Sequence, residues 1–98
     1  MKKGDSFEII IDAGQQSHAL KCVIEYQSSS IMRIRVFGKQ SSILLENNFP
    51  FVSATQSRQQ LNWKLKEGNL KGSSEKNAKL MAYIMEQLEY KIKNYKGN

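Results

Sequence analysis

The sequence predicts an α+β domain, an antiparallel β-meander of four to five strands followed by one C-terminal amphipathic helix packed on one face of the sheet. Three observations lead there. Between residues 6 and 67, apolar residues recur at every second position in short segments separated by Gly, Ser and Asn clusters, the pattern of half-buried strands. Beyond Gly72 the apolar spacing becomes helical. The 98 residues, 40% apolar with one Trp, four Tyr and four Phe, can fill a single core. Residues 1–98 are therefore read as one domain.

The first strand is placed at about 6–13, where Phe7, Ile9, Ile11 and Ala13 alternate with Glu8, Ile10 and Asp12. Gly14-Gln15-Gln16-Ser17 reads as a turn. A second strand, about 18–26, sets Leu20, Cys22, Ile24 and Tyr26 on one face and Lys21, Val23 and Glu25 on the other, so the two pair most simply as a hairpin. Ser28-Ser29-Ser30 interrupts the pattern. In the third strand, about 31–37, Met32, Ile34 and Val36 point inward, with Ile31, Arg33, Arg35 and Phe37 opposite.

Gly38-Lys39-Gln40-Ser41 turns the chain into a short fourth strand, about 42–46, around Ile43-Leu44-Leu45. Pro50 between Phe49 and Phe51 fits an edge, a bulge or a bend, and residues 53–60 read as an outward polar loop. The last strand, about 61–67, carries Leu61, Trp63 and Leu65 on one side and Asn62, Lys64 and Lys66 on the other. A helix over about 74–95 follows. Ser73 or Ser74 caps it, Glu75 suits its first turn, and Ala78, Met81, Ile84, Met85, Leu88, Ile92 and Tyr95 form its apolar stripe.

Composition narrows the function classes. Cys22 is the only cysteine, which rules out an intrachain disulfide and fits a reducing compartment. The start Met1-Lys2-Lys3-Gly4-Asp5 has no apolar run behind it, and no stretch approaches the ~18 apolar residues of a spanning helix. A cytoplasmic protein without membrane association is expected. Lys and Arg outnumber Asp and Glu by 15 to 9, giving a net charge of +6 that favours anionic partners. The excess gathers in residues 31–72, where Arg33, Arg35, Lys39, Arg58, Lys64, Lys66 and Lys71 face only Glu46 and Glu67.

Catalytic chemistry finds little to use. His18, the only histidine, stands four positions from Cys22 on one strand, about 13 Å away at ~3.3 Å per residue, too far for a dyad. One Cys and one His do not make a zinc site. Glu8 and Asp12 share a strand face but are too widely spaced to share a proton or a metal ion. No catalytic residue, metal or cofactor is assigned, and the chain is read as non-enzymatic.

Two anion sites can be drawn. Gly68-Asn69-Leu70-Lys71-Gly72-Ser73-Ser74 precedes the helix without the order of a phosphate-binding loop, so Lys71, Ser73 and Ser74 form a weak candidate beside an ordinary serine cap. The outer sheet face is the stronger one. There Arg33, Arg35 and Phe37 fall with Lys64 and Lys66, cations beside a ring, as a single-stranded nucleic-acid platform requires. The rival reading takes Ile10, Val23, Ile31, Phe37 and Leu44 on that face as a homodimer or protein-docking surface. In element order, strands followed by one helix in a basic chain, the sequence resembles the Whirly and PUR single-strand nucleic-acid-binding folds. That resemblance implies a ligand surface made of strands.

Overall fold

The computed structural model describes residues 2–13, 16–38, 41–55, 61–68 and 74–94. The elements run β1 (Ser6–Ala13), β2 (Gln16–Gln27), β3 (Met32–Phe37), β4 (Ser42–Asn47), α1 (Phe49–Thr55), β5 (Trp63–Glu67) and α2 (Ser74–Lys93). The five strands form one antiparallel sheet in sequence order, the predicted meander. Several boundaries move. β2 begins at Gln16 and ends at Gln27, β3 starts after Ile31, β4 runs on to Asn47, β5 starts only at Trp63, and α2 stops at Lys93.

Turn chemistry explains the close hairpins. Ser28 donates its N–H to the Ile31 carbonyl at 2.9 Å, while its hydroxyl accepts the N–H groups of Ser30 and Ile31. Gly38 donates to the Ser41 carbonyl at 2.8 Å to begin the β3–β4 turn. Both connections let successive strands return antiparallel with few intervening residues.

Residues 49–55, read from the sequence as a bend leading into a loop, form the helix α1 instead. Asn48 accepts the Val52 N–H at its carbonyl to close the first turn, and Asn47 Oδ1 accepts the Phe49 N–H at 2.8 Å. Pro50 then lies in the first turn, where an N–H would have no helical partner, so its missing donor costs nothing. Asn48 Oδ1 also accepts the Asn62 N–H at 2.9 Å, fastening the start of α1 to the approach to β5.

One core joins strands and helix. Ile9, Ile11, Cys22, Ile24, Met32, Ile34, Val36, Ile43 and Leu45 are buried together with Ile84, Leu88 and Ile92 of α2, whose spacing of four brings them to one stripe. Fully burying one such side chain is worth about 1.5–3 kcal/mol. Trp63 sits at the margin of this cluster and donates its indole N–H to Glu89 at 2.8 Å, linking β5 to α2. Ala78, expected in the stripe, is exposed, and Tyr95 lies outside the described residues. No described helix is long and apolar enough to cross a membrane.

Two register shifts alter which residues share a face. Between Ile24 and Tyr26 of β2 the pairing skips Glu25, so Tyr26 stands opposite Arg33 and not on the side of Ile24, as strict alternation predicts. Between Leu44 and Leu45 the β5 partner jumps from Glu67 to Leu65, leaving Lys66 as the extra residue. Leu65, expected inside, is exposed at the edge of the sheet.

Candidate interaction face of the sheet

The side of the sheet away from the core brings the predicted residues together. Across it, Tyr26 pairs with Arg33, Arg33 with Glu46, and Glu46 with Lys64. A neighbouring row runs Val23, Arg35, Leu44 and Glu67, and a third runs Glu8, Lys21, Phe37 and Ser42. Lys66 is exposed beside Glu67.

The arginines are engaged. Arg35 forks onto Glu25, Nε to Oε2 at 2.7 Å and Nη2 to Oε1 at 3.1 Å, a bidentate arrangement that fixes a guanidinium in direction as well as charge. Its Nη2 also reaches Glu67 Oε1 at 3.4 Å and its Nη1 reaches Ser42 Oγ at 3.3 Å, leaving the side chain only 17% exposed. Arg33 donates Nε to Glu46 Oε1 at 2.9 Å while its guanidinium lies 5.2 Å from the centre of the Tyr26 ring.

These contacts show in the acidity of the carboxyls. The hydrogen bond from Arg35 holds Glu25 below the usual carboxylate range, and Glu25 in turn raises the Arg35 pKa. Glu46 is lowered above all by the Arg33 hydrogen bond, with help from the positive charges of Lys66 and Lys64, against a smaller opposing effect of burial.

The face is therefore balanced in charge. Lys21, Arg33, Arg35, Lys64 and Lys66 are matched by Glu8, Asp12, Glu25, Glu46 and Glu67. The sequence pointed to the cations; Glu25, Glu46, Glu67 and Tyr26 are the partners it did not assemble, because each lies on a different strand from its arginine. Of the apolar residues expected outside, Ile10 is 52% exposed and Phe37 is exposed, Val23 and Ile31 are half-buried, and Leu44 retains only 5% beneath the Arg35 network.

The weak anion-site candidate falls largely outside the described residues. Lys71 and Ser73 lie outside them, and Ser74 is the first residue of α2. Burial pushes the Cys22 thiol up to about 12, so it stays protonated and weakly nucleophilic near neutrality. No group of three or more His, Cys, Asp or Glu side chains is placed to hold a metal ion among the described residues. A cleft of about 540 Å³ opens beside the β2–β3 turn, walled by Gln27, Ser28, Phe49, Pro50 and Lys93. Lys93 there is shared with Glu89 at 3.7 Å. No protein-family model, curated protein or solved structure matches the chain.

Proposed function

We propose that this chain is a non-enzymatic interaction domain that docks a protein partner on the outer face of its sheet. The observation that carries this reading is the pairing of Arg33 and Arg35 with Glu46, Glu25 and Glu67. A polyanion approaching that face meets carboxylates wherever it meets guanidinium groups, so the electrostatic gain that drives phosphate binding is largely cancelled. A protein surface asks for something else. Arg, Tyr and Phe framed by mixed charge, with Ile10, Tyr26 and Phe37 exposed among them, match the make-up of protein interfaces.

Single-stranded nucleic acid is the second reading, favoured by the exposed rings of Tyr26 and Phe37 and by the net charge of +6. It keeps Arg33, Arg35, Phe37, Lys64 and Lys66 as contacts and requires the arginines to exchange carboxylate for phosphate.

One experiment separates the two. The immobilised chain and a folded Tyr26→Ala/Phe37→Glu variant are compared as bait at low salt and at about 0.5 M salt, where phosphate contacts are heavily weakened. In parallel, labelled single-stranded DNA and RNA are titrated by fluorescence anisotropy. A stoichiometric protein retained at high salt by the wild type and lost by the variant supports the docking face. Micromolar, salt-labile nucleic-acid binding abolished by Arg33→Glu/Arg35→Glu overturns it in favour of the second reading.

A further inference from the structure

The last core-side row of the sheet is unlike the others. Cys22, Val36 and Ile43 make an apolar row, as do Ile24, Ile34 and Leu45, whereas the row at the β2–β3 turn runs Gln27, Met32, Asn47 and Trp63. Its two amides are incompletely satisfied. Asn47, 1% exposed, accepts the Phe49 N–H at Oδ1 and leaves Nδ2 without an acceptor, and Gln27 Oε1 is buried without a donor. A buried polar atom left in this way costs about 1–3 kcal/mol, so a native fold keeps few of them. Both of those found among the described residues belong to the cross-strand neighbours of Met32.

The cleft of about 540 Å³ opens at the same place, and its size lies within the roughly 300–1,000 Å³ of small-molecule sites. Met32, Phe49, Pro50 and Ile92 supply its apolar wall, and Gln27 belongs to the wall as well. Lys93 is the one charged residue there among the described residues. Its ammonium has three donors, meets Glu89 only at 3.7 Å, and ends a side chain 55% exposed, so it has capacity for a second anion. None of the described residues lining the cleft is an acid, in contrast to the outer face of the sheet. The terminal torsion of a glutamine is broad and two-fold, so Gln27 can turn its oxygen to a donor standing in the cleft.

We infer that this cleft binds a small monocarboxylate with an apolar body and an N–H donor, the chemistry of an N-acylated apolar amino acid. Its carboxylate meets Lys93, its N–H meets Gln27 Oε1, and its apolar side chain lies against Met32, Phe49 and Ile92. A single lysine without an arginine suits one negative charge better than the forked contacts a phosphate draws. The acyl-amide N–H supplies the donor that Gln27 lacks. The cleft is lined from the core side of the sheet and from α1 and α2, so this inference stands apart from the docking reading of the outer face.

The test is an NMR titration of the full isotope-labelled chain with N-acetyl-L-phenylalanine, taken to about 10 mM. Amide shifts are expected to gather at Gln27, Ser28, Phe49 and Lys93, with the Gln27 side-chain NH₂ among them, and to saturate with Kd of about 1 mM or tighter. N-acetyl-L-phenylalaninamide, which lacks the charge, and hydrocinnamate, which lacks the N–H, each bind about tenfold more weakly. Lys93→Met brings the acid down to the level of its amide, while Lys91→Met, which removes the same charge two residues away, leaves it unchanged. Gln27→Met removes the advantage of the acid over hydrocinnamate. Absent or scattered shifts at the highest concentration, equal binding of the acid and its amide, or a Lys93→Met chain that binds the acid undiminished overturns the inference. Hydrocinnamate binding as tightly as the acetylated acid overturns the role of Gln27, and this arm uses the wild type, so it decides even if Gln27→Met does not fold. A Phe37→Glu chain binds the acid as the wild type does, which separates the cleft from the docking face.

Discussion

Replacing Gly68 by alanine tests whether the end of β5 is held as tightly as the structure shows. Gly68 has φ of +89°, a conformation that costs an L side chain about 1–2 kcal/mol. A Cβ there would also collide with the Ser42 carbonyl oxygen and lie 3.1 Å from Ile43 Cα. Ser42 and Ile43 are held in register with Phe37 and Val36 of β3, and Ile43 is buried in the core, so the strand resists retreat, and overpacking of this kind adds about 1–3 kcal/mol. Gly4 is the matched control, with φ of +94° and nothing within 4 Å of its would-be Cβ. Gly4→Ala therefore pays only the conformational cost. In a domain of this size 1 kcal/mol moves Tm by about 4–8 °C, so Gly68→Ala is expected to melt at least ~4 °C below Gly4→Ala. Urea unfolding with unchanged m-values gives the same difference as free energy. Equal melting temperatures would refute the close approach of Gly68 to β4.

Three further outcomes are expected. Glu25 and Glu46 are held below the usual carboxylate range in the fold, so their contribution is complete above the unfolded value of about 4.3 and is lost as pH falls through the lower folded values. The urea midpoint accordingly drops below about pH 5, and a Glu25→Gln/Glu46→Gln chain shows a shallower drop; parallel curves would remove the ion pairs from the account. Leu88→Ala, at a fully buried position, costs about 2–5 kcal/mol by denaturant titration, whereas Tyr90→Ala, at a position 65% exposed, stays within about 0.5 kcal/mol. Cys22 reacts with a chromogenic disulfide reagent at pH 8 only at the rate of global opening, accelerating with urea; a burst of labelling in the native state contradicts its burial.

The meander was legible because alternation is a local property. Phe7-Ile9-Ile11 and Met32-Ile34-Val36 declare a buried face by spacing alone, and the helical stripe Ile84-Leu88-Ile92 does the same. α1 was not legible. Its seven residues are too few to show a helical period, Pro50 argues against a helix unless its place in the first turn is known, and the capping oxygen comes from Asn47, a residue spent on the preceding strand. The ion pairs were hidden for another reason. Arg35 and Glu25 are ten residues apart, and Arg35 and Glu67 thirty-two, so only the register brings them together.

The two register shifts connect these misses to function. With strict alternation, Tyr26 turns into the core opposite Met32, Glu25 stands opposite Arg33, and Lys66 occupies the place opposite Leu44 with Glu67 turned to the core side. The outer face then carries the same lysines and arginines with one carboxylate fewer, Glu67. The shift at Glu25 exchanges that pattern for an aromatic ring over Arg33 and a carboxylate free to fork Arg35. The shift at Lys66 rotates Glu67 onto the face, within 3.4 Å of the same guanidinium. Each inserts one residue, and each adds a group that satisfies an arginine. The last carboxylate of the charge balance thus comes from the irregularity in β5, while the irregularity in β2 leaves the charge count unchanged but turns Glu25 to Arg35 and adds the Tyr26 ring, the two features on which the proposed docking face rests.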